Sequence, residues 1–469
     1  MLYRTEKDAL GEVQVPADRH YGAQTQRSLY NFPIGIEKMP MELVYALVLV
    51  KKAAASINAE VGVLTYAKKE AIVQVCDEIL SGKFEARIGL SAFLAEFPLS
   101  VWQTGSGTHT NMNVNEVISN LAIEKLKNDQ RSTSIQPNDD VNMSQSTNDV
   151  FPTAMHMAAV KMVKERLLPS LKKLRDALHD KACAFNDVIK TGRTHLMDAT
   201  PITLGQEFSG YVSQLDHAQQ AVEATLPALL ELAVGGTAVG TGINAPPQFG
   251  EKVCRLLASF SGFSFVSAPN KFAKMAAQDS SVATSGALKV VACALMKIAN
   301  DIRWMASGPR CGLGELFFIA NEPGSSIMPG KVNPSQCEAV TMVVAQVMGN
   351  DATIAFAGSQ GNFELNVFMP VIAYNLLNSI RLLADAADSF SQRCVVGLTP
   401  NYKNIQKHLD NSLMLVTALN PHIGYDKAGQ IACKAYNEGS SLKQAALASG
   451  FLDEKSFDAI MDPKKMINS

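Results

Sequence analysis

Between Pro152 and Val395 the sequence is written in long runs of helical period, and few folds can absorb such runs. Residues 153–185 make one run and residues 203–234 another. In the second, Leu204, Phe208, Tyr211, Leu215, Ala218 and Val222 share one stripe, and Pro227 predicts a kink near the end. Residues 280–307, 335–357 and 370–391 give three more runs, with shorter helices expected near 250–262 and 271–277. Strand signals are few. The fold class expected is mainly α, built on a bundle of elongated helices that could extend across copies of the chain.

The flanks read differently. Residues 1–40 mix Val13, Val15, Pro16, Gly22 and Pro33, which suggests irregular structure with a short hairpin. Helices are expected over 41–62, over 67–81 before Gly82, and from about Asn113 to Lys127. After Gly397 the helices shorten: one over 402–418, a break at Asn420–Asp426, then two near 426–437 and 441–449. The chain from 397 on reads as a small C-terminal helical domain, and 469 residues suggest roughly two to four domains in all.

Composition removes several roles. A net charge of -2 gives no general attraction to nucleic acid or to an acidic membrane surface. The eight cysteines stand alone, with no C-x-x-C pair and no zinc spacing, so they read as small buried hydrophobes in a reducing compartment. Cys293, inside Val290–Leu295, is one of these. Met1–Leu10 carries Arg4, Glu6, Lys7 and Asp8, which is not a secretory signal, and the location expected is cytoplasmic. The most apolar stretch, Val282–Ile298, is interrupted by Lys289 and Lys297 and reads as a buried helix, not a membrane span. A charged fraction of only 18% hints at surface buried between subunits.

The chemistry-bearing residues lie in loops. Gly324–Pro334 sets Ser325 and Ser326 after a glycine, then a Pro-Gly turn, then Lys331 and Asn333 at alternate positions. Such a loop offers hydroxyl, ammonium and amide donors to an oxyanion or carboxylate, with Ile327, Met328 and Val332 expected to anchor it to a core. Gln103–Asn113 is polar and Gly-rich and runs into a helix, so it reads either as an anion-binding concavity or as a capped helix start. Gln136–Asp149 packs more polar side chains than one cap needs, with Asp149 itself best read as a cap. Thr191–Pro201 is a loop carrying His195, which alone would count as a solvated histidine. The glycines of Gly235–Gly242 mark a close-packed or flexible turn.

Together these segments resemble the fumarase/aspartase superfamily. Gly324–Pro334 is similar to its signature, and Ala23–Ser28, the Ser106-Gly107-Thr108 loop, Ser144–Asp149, Gly192–His195, Gly235–Gly242 and Leu415–Ala428 extend the resemblance over nearly the whole chain. Gly330 before Lys331, Gln336-Cys337-Glu338 and Ala418–Ala428 favour the class II fumarase branch over aspartate ammonia-lyases, where Ala tends to precede the lysine. The resemblance implies a three-domain subunit whose long helices form a 20-helix core in a homotetramer, with each active site drawn from three subunits. It implies reversible hydration of fumarate to (S)-malate, a tricarboxylic acid cycle step, without metal or other cofactor. Competing readings are an aspartase and a catalytically inactive structural homologue.

The same resemblance assigns roles. Removing a proton next to a carboxylate builds an aci-carboxylate dianion, so the site needs a base, donors for that charge, and an acid for the departing hydroxide. Ser325 would be the base, tuned by backbone N–H groups and nearby positive charge such as Lys331. Lys331 and Asn333 would hold the dianion, and His195, paired with Glu338, would handle water. Ser106, Gly107, Thr108, Ser146, Thr147, Asn148, Thr194, Ser326 and Val332 would complete the carboxylate sites. Gln136, Pro137, Asn138 and Asp139 correspond to a second, non-catalytic dicarboxylate site, but the family often has His where Gln136 stands. That second site is therefore expected to be weakened while catalysis survives. Calorimetric titration of an inactive Ser325→Ala variant with malate should find one strong site per subunit; two of similar affinity would refute the expectation.

Overall fold

The computed structural model describes residues 2–128 and 134–467. Helices dominate, and the described strands form only four two-stranded sheets. Contacts gather the described residues into two units. The first holds the chain up to Leu168 together with Gln220–Val290 and Ala345–Leu383. The second holds Pro169–Gln219, Val291–Val344 and the chain from Ala384 on.

In the first unit an N-terminal hairpin pairs Tyr3–Asp8 with Gly11–Pro16. The helix Ala23–Asn31 that follows was not expected, because AQTQRSLYN has no apolar period. Its start is held instead by a buried carboxylate. Glu116 accepts from the backbone N–H groups of Gly22 (2.9 Å), Gln24 (2.8 Å) and Thr25 (3.2 Å) and from the Thr25 hydroxyl (2.6 Å). This satisfies free donors at a helix start and sets a negative charge at the positive end of its dipole.

Helix Met41–Glu60 packs against Tyr66–Leu80 and Thr147–Met162, and Tyr66–Leu80 packs against Thr108–Asn128. Leu43, Leu47, Val50, Ala54 and Ile57 are all buried on it, and so is Lys51. Two helices begin earlier than expected. Thr108–Asn128 starts before Asn113 because Gly107, at φ 77°, makes the turn immediately ahead of it. A Cβ on Gly107 would meet the Phe151 ring at 2.2 Å, so no other residue fits. Thr147–Met162 starts before Pro152, and Ser146 and Asp149 form a capping box across its first turn. The run expected over 153–185 passes through a π-turn at Val163–Leu167 and continues as Leu168–Ala184.

In the second unit Leu204–Glu223 is a single helix, and the Tyr211 hydroxyl donates to Asp301 on Asp279–Met305. The run expected to reach residue 234 stops at Glu223. In the first unit a new short helix, Leu226–Leu230, follows, with Pro227 in its first turn, where the missing N–H costs nothing. Near the C-terminus, Leu419, Ile431, Ala435, Ala446 and Phe457 close a small core of their own. The helix expected over 402–418 is Tyr402–Asn411 followed by a 3-10 segment at Leu413–Leu419, and a further helix spans Glu454–Ile460.

All eight cysteines are free, but only Cys76, Cys254, Cys337 and Cys394 are buried. Cys293 is exposed. Its helix is apolar nearly all round, so periodicity cannot tell which face packs against the chain's own core. His156 is buried in the first unit, with Nδ1 3.0 Å from the Glu231 carbonyl oxygen. Burial pushes its imidazole down to about 4, and the Lys274 ammonium adds to this. A depressed histidine stays neutral when folded and takes a proton only on unfolding, so its contribution is present above its ordinary 6.5 and is lost as pH falls towards 4. The acid loss from this group should be on the order of 3 kcal/mol. Comparing melting temperature against pH for the wild type and His156→Gln, the variant should show the shallower fall between those limits.

Candidate active site

The Gly324–Pro334 segment holds itself by polar links. The Gly324 N–H donates to the Lys331 carbonyl (2.9 Å), and the Asn333 amide donates to the Gly324 carbonyl. Lys331 Nζ donates to Asn333 Oδ1 at 2.6 Å, so ammonium and amide are set as one group. Ser325 Oγ accepts from the N–H of Met328 (3.0 Å) and, more weakly, of Ile327 (3.4 Å). Two donors on a hydroxyl oxygen favour the charged form of that oxygen. The expected apolar anchoring is not found: Ile327 is 83%, Met328 49% and Val332 45% exposed. The loop folds back on its own backbone at Gly324 and Lys331, which turns those side chains outward.

His195 sits at the tip of a hairpin where the sequence suggested a loop. Ile189–Thr194 pairs with Met197–Thr203, and Thr194 faces Met197 across a two-residue turn. Both turn residues, His195 (φ 56°) and Leu196 (φ 60°), have the positive φ that the tightest hairpins require. Neither is glycine or asparagine, so each carries local strain of about 1 kcal/mol. A register shift between Thr191 and Arg193 falls at Gly192, where a Cβ would meet the Thr200 carbonyl oxygen at 2.5 Å. Beneath the hairpin lies a charge cluster the sequence reading missed. Arg193 makes a two-pronged bond to Glu315 (2.8 and 3.1 Å), and Lys190 reaches Glu207 (2.8 Å) and Glu315 (3.3 Å). Glu315 and Lys190 are buried, so the hairpin's base is fixed by paired charges of which these two are shielded from solvent. Thr194, His195, Ser326, Lys331 and Glu338 are exposed, and no hydrogen bond joins His195 to Glu338 in one chain among the described residues.

The remaining candidates belong to the first unit. Ser106 and Thr108 set their hydroxyls 2.8 Å apart at the start of helix Thr108–Asn128. Gly105 lets this turn approach Val367, whose carbonyl oxygen would lie 1.6 Å from any Cβ there. Ser146, Thr147 and Asn148 open helix Thr147–Met162; Ser146 accepts from the Asn148 N–H (3.2 Å), and the Asn148 amide donates to the Ala238 carbonyl (2.8 Å). Asp149 does more than the expected cap. Its second oxygen accepts from the N–H groups of Gly235 (2.8 Å) and Thr237 (3.0 Å), tying the glycine-rich turn to this helix start. Gln136 precedes a π-turn, Pro137–Val141, that exposes Asn138 and Asp139, while Asp140 turns inward to Lys68 (2.8 Å) and to the Gln136 N–H (2.7 Å).

Under these polar segments lies Lys51, another residue missed. Burial pushes its ammonium down to about 7, against the pull of Asp149. Burial likewise pushes Asp149 up to about 6, opposed by its backbone donors and by Lys51. One sequence signal did exist: Lys51 follows Leu47 by four residues and precedes Ala54 by three, so it lies on the buried stripe of its helix.

Comparison with known proteins defines the class. The lyase family profile matches residues 11–349, and the profile for the fumarase C C-terminus matches residues 415–468. The chain belongs to this lyase family. Class II fumarate hydratases of Bacillus cereus and Myxococcus xanthus are each 58% identical to it, over 467 and 464 residues, covering 100% and 99% of this chain and 99% and 98% of theirs. Among solved structures, the class II fumarase of Schistosoma mansoni superposes with a TM-score of 0.93 at 44% identity, covering 99% of both chains. A fumarate lyase:delta crystallin from Brucella melitensis, bound to cobalt, gives 0.91 at 41%, again over 99% of each.

A Cβ on Gly324 would lie 2.3 Å from the Lys331 carbonyl oxygen. Gly324→Ala should therefore displace Ser325 and Lys331 and lower turnover about 100-fold, since misplacement by an ångström costs that much. The loop is exposed, so the melting temperature should move little.

Proposed function

We propose that this chain adds water to fumarate, reversibly, to give (S)-malate: a fumarate hydratase of class II. The full-length identity to class II fumarate hydratases carries the assignment. The chemistry of the loops agrees with it.

In the dehydration direction, Ser325 removes the proton from the carbon beside a carboxylate. Its oxygen is prepared by the Met328 and Ile327 N–H groups. As the C–H bond breaks, a second negative charge gathers on the carboxylate. Lys331 and Asn333, bonded to each other, present a cation and an amide to that charge. His195, oriented by Glu338, protonates the departing hydroxyl, and the charge cluster at Arg193 and Glu315 keeps its hairpin in place. Ser106, Thr108, Ser146, Thr147, Asn148 and Thr194 hold the substrate's carboxylates. Ammonia in place of water would make the enzyme an aspartase; Gly330 before Lys331 favours water.

We further read the assembly as a homotetramer with each site completed by three copies, and the three-domain division at residues 144 and 396 as the family's. Helix Ser335–Gly358 supports an oligomer. It is apolar, yet only 28% of its most apolar stretch is buried, with Met342 67% and Phe356 65% exposed. By length and composition this helix and Asp279–Met305 could cross a membrane, but a patch of this kind between charged, polar loops is better covered by other copies. The free cysteines suit a reducing cytoplasm.

Ser325→Ala and His195→Asn should each lower malate dehydration, followed by the ultraviolet absorbance of fumarate, about 1000-fold. If sites combine copies, dissociating and reassociating a mixture of the two variants should restore activity that neither has alone. No recovery in mixed oligomers, verified by differential tagging, would mean that one chain supplies both groups.

A further inference from the structure

A substrate carboxylate needs hydroxyls that donate, yet a hydroxyl can equally accept. In the first unit, the direction of the Thr147 hydroxyl is set from below. Lys51 is completely buried, and its Nζ lies 2.9 Å from Asn142 Oδ1 and 3.0 Å from Gln145 Oε1. An amine facing two carbonyl oxygens donates to both. Asn142 Oδ1 also accepts from Asn111 Nδ2 (3.1 Å) and Asn115 Nδ2 (3.2 Å). A reversed Asn142 amide would set its NH2 group against three donors.

The other ends of the network agree. Asn142 Nδ2 donates to the Gln145 carbonyl (3.2 Å), and Gln145 Nε2 donates to the carbonyls of Val141 (3.1 Å) and Met143 (3.0 Å). With Asn142 fixed as acceptor, Asn111 must present its nitrogen, and the second hydrogen of that nitrogen reaches Thr147 Oγ1 at 2.9 Å. Among the described residues Asn111 Oδ1 is buried with no partner, so its own acceptor contributes nothing to this orientation. The Thr147 oxygen thus accepts on its inner side, and its hydrogen is directed away from Asn111.

We propose that Lys51 is a positioning residue for the hydration reaction: by holding Asn142 and Asn111 in one orientation, it makes the Thr147 hydroxyl a donor to the substrate carboxylate. This rests on the reading of Thr147 as a carboxylate-binding residue. Lys51 itself need not touch substrate. The device resembles a chain of amides with a donor-only group at one end, so that the direction of every hydrogen bond in the chain follows from the first.

The test is a double-mutant cycle on malate dehydration. Thr147→Val should raise KM about tenfold with kcat within about twofold, the mark of a lost ground-state contact, and Thr147→Ser, which keeps the hydroxyl, should recover most of that loss. Lys51→Met should raise KM by a similar factor, and Lys51→Met with Thr147→Val should be no worse than Thr147→Val alone. An unchanged KM in Thr147→Val removes both the reading of Thr147 and the inference. A raised KM there, with Lys51→Met unchanged or with the two effects multiplying, removes the inference alone. A neutron structure of the unmodified protein decides the matter even if Lys51→Met does not fold. It should place Asn142 Oδ1 against Lys51 and the Thr147 deuterium away from Asn111; a Thr147 deuterium donated to Asn111 Oδ1 would overturn the proposal.

Discussion

The carboxylate of Asp149 is buried where two segments meet, and the candidate carboxylate-binding patch of the first unit depends on it. One oxygen closes the capping box with the Ser146 N–H at 3.0 Å, and the other takes the N–H groups of Gly235 and Thr237. A buried charge is tolerated only with such company, and here the company is backbone from both segments. The glycines matter for the same reason. A Cβ on Gly235 would lie 2.7 Å from the Gly250 Cα, so the turn comes close enough to bond Asp149 only because side chains are missing there. Lys51 interacts with the same carboxylate, so a lysine and an aspartate without access to water underlie a surface of hydroxyls and amides.

How much of this could be read beforehand depended on whether local pattern or distant partners decide the structure. The long helices followed from apolar period: Met41–Glu60, Asp279–Met305, Ser335–Gly358 and Met369–Arg393 lie within a few residues of expectation. Helix Ala23–Asn31 has no such pattern, and its reason for existing is Glu116, some ninety residues away. The hairpin at 189–203 was hidden because a two-residue turn with His and Leu at positive φ goes against ordinary turn chemistry. Conflicts of this kind between local preference and final structure gather at functional sites.

The candidate site divides along the same line. Ser325, Lys331 and Asn333 are neighbours in sequence, and their mutual bonds are local, so the motif alone suggested a donor set. The supports are not local. Lys190, Arg193, Glu207 and Glu315 come together from three separate stretches, and Lys51 meets Asn142 and Gln145 from about ninety positions away. Charged residues in apolar helical text are the one clue to such supports, and Lys51 carried it. The outward apolar residues Ile327, Met328 and Val332 misled in the opposite direction. Apolarity says that a side chain seeks cover; it does not say which molecule provides it.

The hairpin that carries His195 also constrains how the chain can vary over time. Side chains in a strand alternate between faces, so adding or removing a residue between Arg193 and the turn would put His195 and Arg193 out of step and cost either the tight turn or the pairing of Arg193 with Glu315. The spacing between Arg193 and His195 is thus a ruler written in covalent bonds.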